Sequence, residues 1–295
     1  MPLKKLIKIQ GIAFSVLAFV ISLLSLSLGD FNEKISLVLL ALFIVLLGVP
    51  HGSLDTLFAK ELFSLGQLKK WSKFIVTYSM IAVLVVAFWW LLPTLFLIFF
   101  LTLSIIHFSD DLIAGTPKLS RILYGGIIIF LPALLHTNEL TRLYGYLIEI
   151  EHAKWLVTVC HYIAFPWLLG LVIVIYQSCR LNIVSSLETA AVAMLAIFTP
   201  PLLAFTVYFC AMHSARHLIR SIQFLENTPK KAIFASLLIP TLIVFAVGYM
   251  VWKNMTLTSV DAGLIQIVFV TLAALTVPHM MLLQKSGFLD WIKKN

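Results

Sequence analysis

The sequence predicts an all-α fold: a polytopic transmembrane helical bundle of about 8–10 spans, with the N-terminus and C-terminus cytoplasmic. Three observations predict it. First, 61% of the 295 residues are apolar and only 12% are charged, with a mean hydropathy of +1.04. A soluble domain carries about 25% charged residues, so too few polar side chains remain to cover a water-exposed surface of this size. Second, the apolar residues come in continuous runs near the roughly 20 residues a spanning helix needs, not in the alternation of a membrane barrel. In hydrocarbon only helices and closed barrels satisfy every backbone group. Third, the basic residues are distributed unevenly between the two sides of the layout.

Ten runs qualify as helices. The first, 7–28, follows Lys4, Lys5 and Lys8 and has the outline of a signal peptide. It is long, however, and no small-x-small cleavage site follows, so it reads as a retained helix. The second is 35–50. The third and fourth, 73–91 and 94–108, are divided by Pro93, which removes a donor and disfavours helix in the residue before it. The fifth and sixth are 119–136 and 154–177. The seventh, 186–199, is short and need not span fully, which keeps eight or nine spans open. Thr199-Pro200-Pro201 separates it from the eighth, 202–219, and the ninth and tenth are 232–251 and 262–284. No repeat, low-complexity tract or segment the size of a soluble domain appears, so 1–295 reads as a single transmembrane helical domain. Cys160, Cys179 and Cys210 lie in or at the ends of apolar stretches without CxxC spacing, and read as small hydrophobes.

With the N-terminus placed in the cytoplasm, 17 of the 21 Lys and Arg residues fall inside, and only Lys34, Arg142, Lys154 and Lys253 fall outside. This is the positive-inside asymmetry. It supports orientation and helix count together, since a wrong count would scramble part of the chain. It also accounts for the net charge of +8 without any nucleic-acid partner. The expected location is the cell (inner or plasma) membrane, multi-pass, with membrane lipid as the surrounding solvent.

The eight histidines then sort by depth. His136, His152 and His161 fall on the outer side. His51, His107, His213, His217 and His279 fall near the inner ends of four different helices, although the layout rested on apolar runs and Lys/Arg placement alone. Ionisable groups at membrane depth are costly and usually functional, and imidazole is the commonest protein ligand for transition metals. His213 and His217, spaced i, i+4, share a helical face; alone this pair is a weak signal, but His51 and His107 at matching depth make a metal site of His51, His107, His213 and His217. His279 reads as a fifth ligand, a supporting residue or a helix-end hydrogen-bonding group. Asp55 and Asp110 follow His51 and His107 closely. They read either as carboxylates that hold a ligand's second nitrogen or as helix caps and partners of loop lysines. Arg216 reads as an interfacial or topological charge rather than a catalytic one.

Four neutral imidazoles suit iron, copper or zinc. A zinc protease of HExxH type would need glutamate where Ser214 stands. The di-iron membrane desaturases carry more His-rich boxes, including HxxHH, than this chain has.

Gly48-Val49-Pro50-His51-Gly52-Ser53-Leu54-Asp55 resembles the GxPHGxxD signature of the Brp/Blh family, the membrane-embedded bacterial and archaeal β-carotene 15,15'-dioxygenases. Ser104-Ile105-Ile106-His107-Phe108 with Asp110 resembles that family's SxxHFGxxD box, Tyr208-Phe209 and His213-Ser214-Ala215-Arg216-His217 its YF…HSxRH box, and Pro278-His279 its C-terminal PH element. The boxes stand in the family's order over about residues 48 to 280, and Ser109 replaces the glycine expected after the HF pair. The resemblance implies cleavage of the central double bond of β-carotene by O2 to two molecules of all-trans retinal. It implies a non-haem Fe(II) held by His51, His107, His213 and His217, with His279, Asp55 and Asp110 in support. It also implies a possible functional link to a microbial rhodopsin.

A substrate so apolar stays in the bilayer and needs an apolar tunnel, for which the chain has 22 Phe, 7 Trp and 8 Tyr. Three other readings stand beside this one: a metal-dependent oxygenase acting on another carotenoid, isoprenoid or lipid; a non-catalytic accessory in retinal or opsin biogenesis; and a transporter. The absence of a repeat and the off-centre histidines argue against the transporter.

Overall fold

In the computed structural model of the protein, residues 2–28, 37, 42–64, 66–113, 115–179, 182–254 and 259–294 are described, apart from the side chains of residues 45, 49, 51, 293 and 294. Among the described residues the regular structure is helical, with no strand. Seven of these helices are long and apolar enough to cross a membrane, or eight if one sharply bent pair counts as a single span. The chain is therefore a multi-pass membrane protein.

Helix α1 (Leu3–Leu28) lies along α10 (Ile183–Phe198). Its buried small residues Ser15, Ala18 and Ser22 allow the close approach common between membrane helices. Residues 35–41 of the second predicted run lie, except for residue 37, outside the described residues. From residue 42 the chain is helical, with a π-helical turn at Ile44–Gly48 that passes into α2 (Val49–Ser53) and then α3 (Asp55–Phe63). Helical structure thus continues beyond residue 50, where the apolar run of the sequence ends. The two prolyl breaks fall where expected. α4 (Leu68–Leu91) gives way to α5 (Pro93–Phe108), and α10 to α11 (Pro201–Val207), with a proline in the first turn of each new helix.

The fifth predicted helix is not one rod. It divides into α6 (Lys118–Gly125), α7 (Ile127–Phe130) and a 3-10 turn Leu131–Leu134 containing Pro132, then bends by 109° into α8 (Thr137–Gly145). Pro132 cannot donate into an α-helical ladder. At Gly126 a Cβ would collide with the Trp167 ring. The remaining helices are α9 (Ile150–Cys179), α12 (Ala215–Phe224), α13 (Lys230–Asn254), α14 (Val260–Lys285) and a terminal α15 (Phe288–Lys294). A second π-helical segment, Tyr208–Ser214, joins α11 to α12. α10 has 16 residues, short of the roughly 20 a spanning helix needs, in keeping with the short seventh helix expected from sequence.

The main apolar core gathers α1, α5, α9, α10, α11 and α14, and a smaller cluster joins α3, α14 and α15. α13 buries none of its residues. One end of the bundle is tied by His152 to Thr94 (2.9 Å), Trp89 Nε1 to the Leu147 carbonyl (3.0 Å) and His136 to the Ile197 carbonyl (3.1 Å). His161 contributes a contact with the Ala133 carbonyl at 2.7 Å. The other four described histidine side chains meet at the opposite end.

Candidate metal centre

Four segments distant in sequence deliver polar side chains to one buried cluster. The last turn of α5 carries His107, and the 3-10 turn Ser109–Asp111 that follows carries Asp111. The π-helical segment carries Tyr208 and His213, and α12 continues to His217. α14 carries His279 directly after Pro278, and α3 opens on Asp55. Short π-helical turns inside helices recur at functional sites because the extra residue re-aims the side chains around it. The two described π turns pack on each other. Gly48 ends the first and approaches Phe209 of the second so closely that a Cβ would stand 2.7 Å from the ring. Phe209 in turn stacks on His213, centroids 5.6 Å apart and planes at 21°.

The imidazoles face one another. Nε2 of His107 and Nε2 of His213 are 3.0 Å apart. Ring centroids are separated by 5.6 Å for His107 and His279, 5.1 Å for His217 and His279, and 6.4 Å for His213 and His217. All four side chains are buried. Two of them are held from behind in the same manner. His213 Nδ1 is 2.9 Å from Asp111 Oδ1, and the Tyr208 hydroxyl donates to Asp111 Oδ2 at 2.8 Å. His279 Nδ1 is 2.7 Å from Asp55 Oδ1, and the Tyr78 hydroxyl donates to Asp55 Oδ2 at 2.8 Å. An ionised carboxylate only accepts, so each Nδ1 carries the proton. In the neutral ring that leaves the Nε2 lone pair aimed away from the carboxylate. This is the outer-shell arrangement that fixes the tautomer of metal-binding histidines.

Asp111 is also fixed through its main chain. Its carbonyl accepts from Arg216 (3.0 Å) and Arg220 (3.1 Å). Arg216 is fully buried and makes a two-pronged pair with Glu188 at 2.6 and 3.0 Å, while its Nε donates to Gln10 at 2.9 Å. α1 passes over this pair at Gly11, where a Cβ would collide with the Glu188 carboxylate.

The cluster thus brings together His107, His213, His217, His279 and Asp55 from the predicted set. The side chain of His51 lies outside the described residues. Its helix, α2, packs against α12 and α14, which carry His217 and His279. Asp110 does not reach an imidazole among the contacts seen here. It pairs with Arg121 at 2.5 Å, and the neighbouring Asp111 takes the position behind His213. Asp111 and Tyr78 were missed by sequence reasoning: Asp111 stands in the same Ser-Asp-Asp turn, and Tyr78 has no local signal at all. Arg216, read from sequence as an interfacial charge, is instead a buried structural ion. Ser109, at the expected glycine position, has φ −60° and ψ −20°, a backbone any residue adopts. The substitution therefore costs no strain.

The donor set fits a first-row transition metal. Two nitrogens bonded to one ion at about 2.0–2.1 Å cannot be more than about 4 Å apart, and the His107–His213 separation lies within that bound. Among the described residues no group of three His, Cys, Asp or Glu side chains already stands at metal-binding distance.

Beside the imidazoles, α4, α13 and α14 enclose an apolar groove of about 690 Å³. Phe74, Val244, Tyr249, Leu264 and Leu275 line it, with Asp55 and His279 at one end.

The model of a protein family described as beta-carotene 15,15'-dioxygenase matches residues 42–285 of the chain. A protein named Beta-carotene 15,15'-dioxygenase, from uncultured marine bacterium 66A03, is 31% identical over 252 residues, covering 81% of this chain and 90% of its own. No solved structure matches. The matched span contains every histidine, aspartate and tyrosine of the cluster.

Proposed function

Because this chain belongs to the beta-carotene 15,15'-dioxygenase family, we propose that it cleaves the central 15,15' double bond of β-carotene with O2, giving two molecules of all-trans retinal. His51, His107, His213 and His217 would hold a non-haem Fe(II), in a multi-pass cell-membrane protein whose termini face the cytoplasm. The observation that carries this reading is the pairing of the His107 and His213 Nε2 atoms at 3.0 Å, with Asp111 behind His213 and Asp55 behind His279, beside an apolar groove. His279 is anchored by Asp55 as His213 is by Asp111, and this parity favours His279 as a further ligand.

When bound, Fe(II) supplies the activation of O2. The remaining work falls to the protein. β-Carotene is dissolved in the bilayer, and α13, one wall of the groove, buries no residue of its own. Along α13 the groove follows residues from Ile239 to Trp252, a rise of about 20 Å at 1.5 Å per residue. That length orients a rigid polyene with one part in the groove and the scissile bond near the imidazoles. Apolar walls exclude water that would divert a reactive oxygen species. Asp111 and Asp55 hold the Nδ1 protons of His213 and His279, which leaves Nε2 as the nitrogen each ring would present to a metal. Both atoms of O2 end in the two aldehydes and the carbon–carbon double bond is lost, so the reaction asks no nucleophile or general base of the protein. Its product is the chromophore type a microbial rhodopsin takes up.

The test is retinal formation in a β-carotene-accumulating bacterial strain, comparing this chain with His213→Ala and checking that both reach the membrane. Retinal from the parent and none from the variant is expected. No retinal from a membrane-inserted, iron-loaded parent would overturn the reading and redirect it to another carotenoid or lipid substrate.

A further inference from the structure

A second cavity of about 590 Å³ opens beside the Arg216–Glu188 pair, away from the imidazoles. Lys4 and Lys8 of α1, Ser185 and Glu188 of α10, Arg220 of α12 and Trp291 of α15 line it. Its charge is one-sided. Among the described residues Glu188 is the only acidic one on its wall, and both carboxylate oxygens are engaged by Arg216. Lys4 and Lys8 are exposed and one helical turn apart at the mouth. Arg220 is buried, and its hydrogen bonds go to the main-chain carbonyls of Asp110, Asp111 and Leu112. The start of α10 also faces the cavity, with Asn182 capping the amides of Val184 and Ser185. The positive end of its dipole therefore adds to the cationic field.

We propose that this cavity binds a phosphate-bearing anion, seated between Arg220 and the two lysines. Basic pockets between membrane helices suit lipid phosphates, and a free phosphate has the same chemistry. The proposal stands whether or not the chain cleaves β-carotene. Arg220 holds the carbonyls of the segment that carries Asp111, so the anion would sit one residue away from the support of His213.

The experiment uses the purified full-length protein in a neutral detergent. Phosphatidylglycerol, phosphatidylcholine or inorganic phosphate is titrated, with binding read by native mass spectrometry and by thermal unfolding. Phosphatidylglycerol is expected to bind saturably and about tenfold more tightly than phosphatidylcholine. The double variant Lys4→Gln, Lys8→Gln should lose about that factor. Both lysines are exposed, so the variant keeps the core. Saturable binding of inorganic phosphate, weakened by the same variant, would also uphold the site and identify free phosphate as its ligand. Equal binding of the two lipids with none of phosphate, or binding unchanged in the variant, would overturn it.

Discussion

Nε2 of His107 meets Nε2 of His213 at 3.0 Å, while Asp111 grips the opposite nitrogen of the His213 ring. The carboxylate therefore sets which nitrogen of His213 is available. Asp111→Asn keeps the shape but removes the charge. Loss of such an outer-shell partner typically costs 10–100-fold in metal affinity or activity. Retinal formation and iron content should fall together in that range, with the protein still in the membrane. Retinal output at the parental level would break the link between this contact and catalysis.

The same logic applies behind His279. Asp55→Asn should lower iron content comparably if His279 binds the metal, and leave it near parental if His279 only supports it. Tyr78→Phe deletes one hydrogen bond to Asp55, worth about 1 kcal/mol, so roughly a fivefold loss is expected. Iron analysis of the purified variants distinguishes these cases.

Gly48→Ala places a methyl group against Phe209, which rests on His213. Turnover should drop while membrane insertion is retained. Shortening the obstructing side chain in the double variant Gly48→Ala, Phe209→Leu should restore part of it. If the double variant is no better than the single one, the damage does not pass through Phe209.

Glu188→Ala would strand a buried guanidinium. Breaking a buried pair from one side costs about 3–5 kcal/mol, whereas replacing both partners by apolar residues is often neutral. The single variant should unfold at a markedly lower temperature in detergent, and Glu188→Leu with Arg216→Met should recover much of the loss. Differential scanning of both variants checks this.

Gly248 borders the apolar groove, and a Cβ there would meet nothing closer than Ile267 Cγ2 at 3.8 Å. Gly248→Ala should be tolerated. Gly248→Phe should fill the groove, reducing retinal formation without changing iron content.

The residues that carry the cluster differ in how far sequence reveals them. His107, His213, His217 and His279 were legible because membrane cost makes a buried imidazole conspicuous, and because helix parity put them at one end. The prolyl breaks at Pro93 and Pro201 were legible for a local reason, the missing N–H. Asp111 was not separable from Asp110, because adjacent residues on a 3-10 turn point in different directions and only the tertiary surroundings choose between Arg121 and His213. Arg216 looked like an interfacial charge since Glu188, its partner, lies 28 residues upstream on another helix. The bend after Leu134 was hidden because apolar content alone does not distinguish a straight span from one folded on itself. α8 and α15 are too short and mixed in polarity to stand out as spans.

The pairing of Asp55 with His279 reaches across 224 residues. A ribosome releasing this chain into the membrane therefore inserts the carboxylate long before its imidazole exists. Until α14 enters, Asp55 lacks that partner, and burying a carboxylate without one is costly. Docking of α14 ends the penalty, so the last long helix acts as a checkpoint on assembly. A chain arrested before it carries an exposed fault that membrane quality control could read.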